Sequence, residues 1–350
     1  MKQIRILITG AGAPGIAGTI HSVRNNPDLR AVRIIGTDIN EQVVGRYFCD
    51  EFYKIPKATS DDYLGTLLSL CENERVDVLI PQNTAELLIL SDNKNLFEEK
   101  GIKILVSSHE AISKANDKFH LMETAQCIGV PTTKYALSSD FDSLKKNVDV
   151  IGQGEEVVVK PPMSNGSRGV RIVTKNRNRK NDFYNEKPNS LYITLEELHE
   201  TLGEEFPELM VMEYLPGEEF TVDIFRNNKT FIAIPRVREV IRSGITFGAS
   251  LSNDERLIEY SRLLADACDL TLCFGFQFKL NKEGIPMLLE SNPRVQGTMV
   301  MSTFAGANVI YASVKDLLGE PIPEFNIDWN TRLLRYWGAV GIHEDGYTRV

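Results

Sequence analysis

Apolar positions in the first 106 residues fall into short runs separated by mixed segments. The runs are rich in Ile, Leu and Val, and they cover residues 4–9, 31–37, 76–81 and 102–106. Strands that are buried on both faces of a parallel sheet read as nearly continuous apolar runs, and helices connect them. The pattern predicts an open α/β domain whose strand ends could hold a small ligand.

A glycine-rich turn follows the first run. Residues 10–15, GAGAPG, lead into a helix predicted to begin near Ile16, and Asp38 ends the second strand. This spacing is typical of dinucleotide-binding folds, where an acid holds the ribose. Pro14 lies inside the turn, where phosphate binding would use a backbone N–H that proline lacks. A nicotinamide-dependent oxidoreductase is therefore an alternative and not the main interpretation.

Composition excludes several classes of function. The chain has 350 residues, of which 42% are hydrophobic and 25% charged, as in a globular protein of two or three domains. A net charge of −9 disfavours nucleic acid and anionic membranes as partners. No run approaches the roughly 18 apolar residues of a membrane span. The five cysteines form no Cys-x-x-Cys pair, which predicts reduced thiols in a cytoplasmic protein and neither zinc nor disulfides.

The stretch at 287–297, MLLESNPRVQG, carries the densest candidate chemistry. An apolar run leads to Glu290, a turn presents Asn292, Arg294 follows, and Gln277 comes from the preceding strand. One carboxylate and two amide oxygens suit Mg²⁺, with Mn²⁺ as a substitute. An arginine beside that metal suits a phosphoryl group whose charge grows during transfer. Taken alone, the same residues also fit a β-hairpin with a polar tip.

The middle of the chain adds cations and a glycine-rich segment. Lys118 starts a predicted helix, and Lys160 ends a β-branched strand, where a cation is costly unless it meets an anion. Residues 163–169, MSNGSRG, could close over phosphates through backbone N–H groups and Ser hydroxyls, although a plain hairpin turn is the alternative. The polar insert at 174–190 is predicted to be a mobile, solvated loop.

A third segment suits a nucleoside. A predicted strand ends at Glu213 and continues into the open segment Tyr214 and Leu215, whose backbone groups could meet an adenine edge. Glu219 could accept both ribose hydroxyls. The alternative is that Glu218 and Glu219 are ordinary surface acids.

In this order the segments resemble the ATP-grasp superfamily, most closely the synthetase domains of carbamoyl-phosphate synthase. The resemblance implies an α/β fold with a Rossmann-like pre-ATP-grasp domain at 1–112. A two-lobed α+β ATP-grasp domain would follow, with an N-terminal lobe at 113–215 and a C-terminal lobe at 216–350. It also implies that ATP and Mg²⁺ are used, and it allows a homodimer.

The resemblance gives each candidate residue a role. The predicted nucleotide-binding residues are Lys118, Lys160, Ser164, Gly166, Ser167, Gly169, Glu213, Tyr214, Leu215 and Glu219. The predicted metal ligands are Gln277, Glu290 and Asn292. Arg294 and Lys160 would stabilise the phosphoryl group during transfer.

One departure from this family bears on the substrate. Thr246 stands where carbamoyl-phosphate synthase has a histidine needed to phosphorylate bicarbonate, and Arg236, Arg238 and Arg242 precede it. These arginines could hold the carboxylate of an organic acid. We therefore expect an ATP-dependent carboxylate–amine ligase with small-molecule substrates. A bicarbonate-phosphorylating synthetase, an NAD(P)-binding oxidoreductase and a nucleotide sensor without turnover are the alternatives.

Overall fold

The computed structural model describes residues 1–162, 169–185, 191–344 and 346–349. The predictions for Ser164, Gly166 and Ser167 lie outside these residues. The chain divides into two compact units. The first contains residues 1–116, 219–278 and 290–350, and the second contains residues 117–218 and 279–289. The domain boundaries expected near 112 and 215 stay a prediction.

Residues 1–116 of the first unit form an open α/β domain. Its elements are β1 (Ile4–Ile8), α1 (Ile16–Arg24), β2 (Val32–Asp38), a 3-10 turn (Val44–Tyr47), β3 (Glu51–Lys54), α2 (Tyr63–Asn73), β4 (Val78–Ile80), α3 (Thr84–Asp92), α4 (Lys94–Glu98), β5 (Lys103–Ile104) and α5 (His109–Asn116). The strands pair in parallel in the order β3-β2-β1-β4-β5. Ile6 and Leu7 of β1 belong to two different core clusters, because helices cover both faces of the sheet. The open parallel sheet confirms the expectation from the apolar runs.

The glycine-rich turn after β1 is closed by contacts with the protein itself. Gly12 donates its backbone N–H to Asp38 Oδ2 at 2.7 Å, so the acid expected at a ribose binds the turn instead. A Cβ on Gly45 would lie 2.0 Å from the carbonyl oxygen of Ala11, and one on Gly15 would lie 2.6 Å from Gly297 Cα. These approaches take up the space beside the turn, and they disfavour the dinucleotide interpretation.

The second unit is built around a five-stranded sheet in the order β6-β10-β7-β8-β9. Its elements are α6 (Lys118–Cys127), β6 (Tyr135–Asp140), α7 (Phe141–Gly152), β7 (Val157–Lys160), β8 (Arg171–Val173), α8 (Arg179–Asn185), β9 (Tyr192–Ile193), α9 (Leu195–Leu202) and β10 (Glu205–Glu213). Leu144 and Val148 of α7 and Leu198 of α9 pack on Val159 and Val211 of the sheet.

The insert at 174–190 differs from the predicted solvated loop, because it contains α8. Arg177 donates to Asp182 at 2.8 Å and also bonds to Glu197 of α9, while Arg179 pairs with the same glutamate at 2.8 Å. Two of the basic side chains of the insert, those of Arg177 and Arg179, therefore contact acids. The expectation of a loop was wrong over Arg179–Asn185, which is helical although its polar sequence lacks the apolar periodicity that indicates a helix, and no residue of this helix is buried.

The remainder of the chain is dominated by a six-stranded sheet in the order β15-β14-β11-β12-β13-β16. Its elements are β11 (Glu219–Arg226), β12 (Phe231–Arg242), β13 (Ile245–Leu251), α10 (Glu255–Cys268), β14 (Leu272–Leu280), β15 (Pro286–Asn292), α11 (Val300–Phe304), α12 (Val309–Leu317), β16 (Arg332–Leu334) and the hairpin β17 (Val340–His343) and β18 (Gly346–Arg349). Phe225 and Ile234 of the sheet share a core cluster with Ile310 and Tyr311 of α12 and with β1. β15 extends to Asn292, so this residue lies at the strand end and not in the turn as predicted.

Two further observations concern the whole described chain. All five cysteines are free thiols, as predicted, and burial raises the pKa of Cys71 to about 12. Among the helices that the structure describes, none has the length and apolar character needed to cross a membrane.

Candidate functional site

Two lysines of the second unit are buried at the ends of regular elements. Asp117 caps α6 by accepting hydrogen bonds from the backbone N–H groups of Phe119 at 2.9 Å and His120 at 3.1 Å. Lys118 begins this helix and is 7% exposed, and Lys160 at the end of β7 is 8% exposed. A buried ammonium is costly unless polar or anionic groups surround it. Both positions therefore suit cations that meet an anion.

The segment after β10 borders a cleft of about 530 Å³ within the second unit. Leu215 is 3% exposed, and no hydrogen bond from its backbone N–H is found among the described residues. Tyr214 lies beneath the ammonium of Lys279, 5.3 Å from the ring centre. The cleft is lined by Lys134 and by residues 151–156, 174–176, 213–216 and 281–283. Its volume is within the roughly 300–1,000 Å³ of small-molecule sites.

Gly169 is the described end of the glycine-rich segment. Its φ of +74° is a conformation that other residues rarely adopt. A Cβ at this position would also lie 2.7 Å from Pro161 Cδ. Backbone geometry alone therefore requires a glycine here, whatever the segment binds.

In the first unit, one guanidinium connects two predicted ligand-binding residues. Arg238 on β12 bonds to the carboxylate of Glu219 and donates to Gln277 Oε1 at 3.2 Å. It also donates to Thr246 Oγ1 at 2.9 Å and to the carbonyl oxygen of Gly244 at 2.6 Å. Burial lowers the pKa of Arg238, and the Glu219 carboxylate opposes that change. The predicted ribose acid and one predicted metal ligand thus lie side by side.

The end of β15 and the residues after it form the second part of this arrangement. Arg294 donates to Thr84 Oγ1 at 3.0 Å, to Asn292 Oδ1 at 3.3 Å and to the carbonyl oxygen of Val295 at 3.0 Å. Burial lowers the pKa of the Arg294 guanidinium, and the nearby Glu290 raises it. Glu290 also raises the pKa of Arg238. Glu290 therefore lies within electrostatic range of both arginines.

The donor set at this place fits a hard divalent cation. Ser291 Oγ is buried without a hydrogen-bond partner in the described structure, so one hydroxyl oxygen is unused here, whereas the unpartnered Asn292 Nδ2 is a donor and does not bind a cation. The amide oxygen of Gln277 accepts one bond and has a second lone pair. Among the described residues no cluster of three His, Cys, Asp or Glu side chains could hold a metal. A cation here would thus depend on Glu290, amide oxygens, water and substrate oxygens, as Mg²⁺ often does.

The arginines expected to hold an acid have different environments. Arg236 is 2% exposed and pairs with Asp223, with 3.0 Å between Nε and Oδ2. Arg238 is held by the contacts described above. Arg242 is exposed and lies over the ring of Phe247, 5.0 Å from its centre. Arg236 and Arg238 are thus both acid-paired, and Arg236 is the more deeply buried of the two.

Thr84, Asp223 and Arg335 contact this region but were missed by sequence reasoning. Thr84 lies 210 positions from Arg294, the side chain that it contacts. Arg335 donates to the carbonyl oxygens of Pro14 at 2.8 Å and Gly297 at 2.7 Å. No local pattern signals such contacts, since they form only in the folded chain.

Comparison with known proteins defines the class first. Residues 205–333 match the family described as ATP-grasp in the biosynthetic pathway with Ter operon, and residues 6–105 match the PylC-like N-terminal domain. The structure resembles an N5-carboxyaminoimidazole synthetase from Staphylococcus aureus complexed with ADP (TM-score 0.65, 16% identity, 95% of this chain and 80% of that chain). It also resembles the biotin carboxylase domain dimer of Hydrogenobacter thermophilus 2-oxoglutarate carboxylase with MgADP, ADP and bicarbonate (TM-score 0.66, 17% identity, 95% and 74%). The chain has an ATP-grasp fold preceded by a PylC-like N-terminal domain, which confirms the predicted fold class.

A more particular similarity is found among sequences. The arginine-specific carbamoyl phosphate synthase large chain of Halalkalibacterium halodurans is 26% identical over 342 residues, covering 92% of this chain and 30% of that protein. The chain spans 20–30% of the length of the large chains that it matches. The resemblance to carbamoyl-phosphate synthase is thus confirmed, and it concerns one segment of those proteins.

Proposed function

We propose that this protein is an ATP-dependent carboxylate–amine ligase. The carboxylate of an organic acid would attack the γ-phosphorus of ATP, forming an acyl phosphate and releasing ADP. An amine would then displace phosphate to form an amide. The observation that carries the proposal is that the Glu290 carboxylate acts on the charges of both Arg238 and Arg294 and immediately precedes Ser291, whose buried hydroxyl has no hydrogen-bond partner in the described structure.

The nucleotide-binding roles in this proposal follow the predicted residues. Lys118 and Lys160 would contact the phosphates, and the segment from Glu213 to Leu215 would contact adenine. Their burial beside polar surroundings and the unbonded Leu215 N–H support these roles. Glu219 would accept the ribose hydroxyls. The glycine-rich segment at 163–169 is proposed to cover the phosphates.

The metal-dependent part of the proposal uses Gln277, Glu290 and Asn292. Mg²⁺, with Mn²⁺ as a substitute, would lower the charge repulsion between the ATP phosphates and the attacking carboxylate. Arg294 would stabilise the charge that grows on the phosphoryl oxygens. A guanidinium stays protonated even where burial lowers its pKa, so Arg294 would act as a fixed cation.

The surroundings of Thr246 favour an organic acid over bicarbonate. The hydroxyl oxygen of Thr246 accepts a hydrogen bond from Arg238 Nε, and this position has no imidazole to offer bicarbonate. We also propose a cytoplasmic location, a homodimer and the lobe boundaries at 112 and 215. The free thiols support the location.

A substrate screen tests the proposed reaction. Purified protein with ATP and Mg²⁺ is offered amino acids and small carboxylates, each with and without amines. ADP release and the mass of the product are recorded. We expect one acid to stimulate ADP release and to appear as an amide in the presence of its amine. Release with bicarbonate alone would support the carbamoyl-phosphate-synthase-like alternative, and ATP binding without turnover would indicate a sensor.

A pair of matched variants ties the activity to the site. Glu290→Gln should lower Mg²⁺-dependent ADP release by about 10²-fold, since it removes the carboxylate from the proposed metal ligands. Glu255→Gln changes an exposed glutamate in the first turn of α10 and should leave the rate unchanged. Equal rates in both variants would contradict the assignment of Glu290.

A further inference from the structure

Strand pairing places several charged residues on one face of the six-stranded sheet. Arg236 of β12 lies opposite Thr221 of β11 and Leu251 of β13, and Ala249 of β13 lies opposite Leu333 of β16. Paired residues share a face, and alternate residues along a strand return to it. Asp223, Arg236, Arg238 and Arg335 therefore point to the same side of the sheet.

Arg236 is a buried cation with an unused donor. Its Nε and Nη2 lie 3.0 Å and 3.4 Å from the carboxylate oxygens of Asp223, while Nη1 has no hydrogen-bond partner in the described structure. Gln296 also donates to Asp223 at 3.2 Å and fixes the carboxylate further. Buried polar groups without a partner are rare in native proteins, and each one points to a ligand or a water. Nη1 is thus available to an acceptor.

Arg335 is a second cation that the protein does not neutralise. Its terminal nitrogens each donate to a backbone carbonyl, of Pro14 and of Gly297, and these bonds use one hydrogen per nitrogen. Within the described residues Arg335 forms no ion pair. Burial lowers its pKa, and the charge of Arg236 lowers it further, so the two guanidiniums are electrostatic neighbours.

The local charge balance identifies the missing group. Arg236 and Arg335 carry two positive charges and Asp223 carries one negative charge, so one positive charge has no counterion among the residues that the structure describes. Arg238 differs because Glu219 compensates it. A single carboxylate would restore neutrality and could accept hydrogen bonds from both guanidiniums.

This pair is separate from the groups proposed to handle phosphate. Arg294 donates to Thr84, to Asn292 and to the carbonyl oxygen of Val295, and within the described residues none of these groups bonds to Arg236 or Arg335. Neither Arg236 nor Arg335 bonds to the predicted metal ligands, which contact Arg238 and Arg294 instead. An acid that reacts beside Glu290 would therefore need a second anionic group to reach Arg236 and Arg335.

We infer that Arg236 and Arg335 form a carboxylate-binding subsite that anchors an acid substrate by its non-reacting carboxylate. The inference rests on the proposed ligase function and names its substrate class. The substrate would be a dicarboxylic acid, or an amino acid with a side-chain carboxylate. The anchored carboxylate keeps both oxygens, while the other carboxylate attacks ATP.

The test compares acids that differ only in the second carboxylate. Succinate and L-glutamate are the dicarboxylate probes, and succinamate and L-glutamine are their monoamides, in which one carboxylate is replaced by an amide. ADP formation gives KM and kcat, and the melting temperature without nucleotide gives binding that does not depend on turnover. In the unmodified protein, a dicarboxylate should raise the melting temperature and support turnover, while its monoamide should not support turnover, because its single carboxylate cannot both occupy the subsite and attack ATP.

Variants assign the effect to the subsite. Arg335→Gln should raise the KM for the dicarboxylate about 10–100-fold, as loss of a charged hydrogen bond does, with the KM for ATP unchanged. Arg335→Lys should restore part of the affinity. Arg332→Gln is the matched control, since Arg332 lies on the same strand, faces the other side and is exposed. The paired change Asp223→Asn with Arg236→Met removes both buried charges and should abolish the thermal response to succinate.

The outcomes separate this inference from the proposed function. If no acid releases ADP but succinate raises the melting temperature of the unmodified protein and not of Arg335→Gln, the ligase proposal fails and the subsite stands. If an acid releases ADP and Arg335→Gln leaves its KM unchanged, the subsite is wrong and the ligase proposal stands. Equal turnover with succinate and succinamate would also overturn the inference.

Discussion

Two strand ends of the first unit both combine a tight turn with polar groups, yet they differ in how the polar groups are used. After β1, Gly12 donates its N–H to Asp38, and other protein segments occupy the space beside the turn. At the end of β15, Ser291 Oγ and Asn292 Nδ2 are buried without partners. Satisfied polar groups indicate a structural role, and unsatisfied ones indicate a place for a ligand. Motif spacing alone does not distinguish the two cases.

The largest expected effect comes from the β15 end. Arg294→Ala should lower kcat by about 10²-fold or more, because it removes a preorganised cation from the charge that develops on the phosphoryl group. Steady-state ADP release with saturating acid measures the change, and a nucleotide titration reports ATP affinity separately.

An exposed arginine of the same unit provides the control. Arg24 pairs with Asp50 at 2.8 Å on the surface, so Arg24→Ala should leave kcat unchanged. If Arg294→Ala kept both normal turnover and normal ATP affinity, the end of β15 would have no catalytic role and would not differ in function from the turn after β1.

A substitution in the turn after β1 should change the stability of the protein and not its ligand binding. Gly15→Ala places a Cβ 2.6 Å from the backbone of Gly297, so it should lower the free energy of unfolding by about 1–3 kcal/mol. Urea unfolding measures this change. Titration with NADH should show no binding by either protein, because the turn contacts the protein and leaves no room for a dinucleotide.

Gly65 of α2 is the matched glycine, since a Cβ there would have no atom within 4 Å. Gly65→Ala should raise stability by about 0.5–1 kcal/mol through the better helix propensity of alanine. Unchanged stability in Gly15→Ala, or tight NADH binding by the unmodified protein, would mean that the turn has a ligand-binding role after all.

The parts of the fold that sequence predicts well are those with local causes. The apolar runs of β1, β2 and β7 and the Asp117 cap of α6 each depend on neighbouring residues. The resemblance to a known family supplied the order of the site segments, which no local rule provides. The expectations for these three strands and this helix cap therefore held, because their causes lie close together along the chain.

Other features depend on contacts between distant residues. Asp38 follows a strand as a ribose-binding acid would, but its partner is the turn itself. Lys118 has the position of a solvated residue and is buried. Arg335 becomes notable only because it donates to Pro14 and Gly297 and pairs with no acid in the part of the chain that the structure describes. The sequence thus did not predict which charged side chains contact one another, because these contacts form only in the folded chain.

The smallest expected effect concerns Glu86, which lies beside the turn after β1. Its carboxylate accepts a hydrogen bond from Thr9 and one from Asn83 Nδ2 at 2.8 Å, and the residue is 5% exposed. Burial raises the pKa of Glu86 above its ordinary value of 4.5, against the opposing effect of these hydrogen bonds. The folded state therefore binds a proton more readily than the unfolded state does.

The sign of the pH dependence follows from that difference. Protonated Glu86 contributes its full stability below the ordinary pKa, and this contribution is lost as the pH rises through the folded-state value. Glu86→Gln has an uncharged side chain of the same shape, so its stability relative to the unmodified protein should grow as the pH rises above the ordinary pKa of 4.5. Urea unfolding at several pH values measures this trend. If the difference in the free energy of unfolding between the two proteins stayed constant over this pH range, Glu86 would have the same pKa in the folded and unfolded states. The polar groups beside the turn after β1 would then be less enclosed than their contacts indicate.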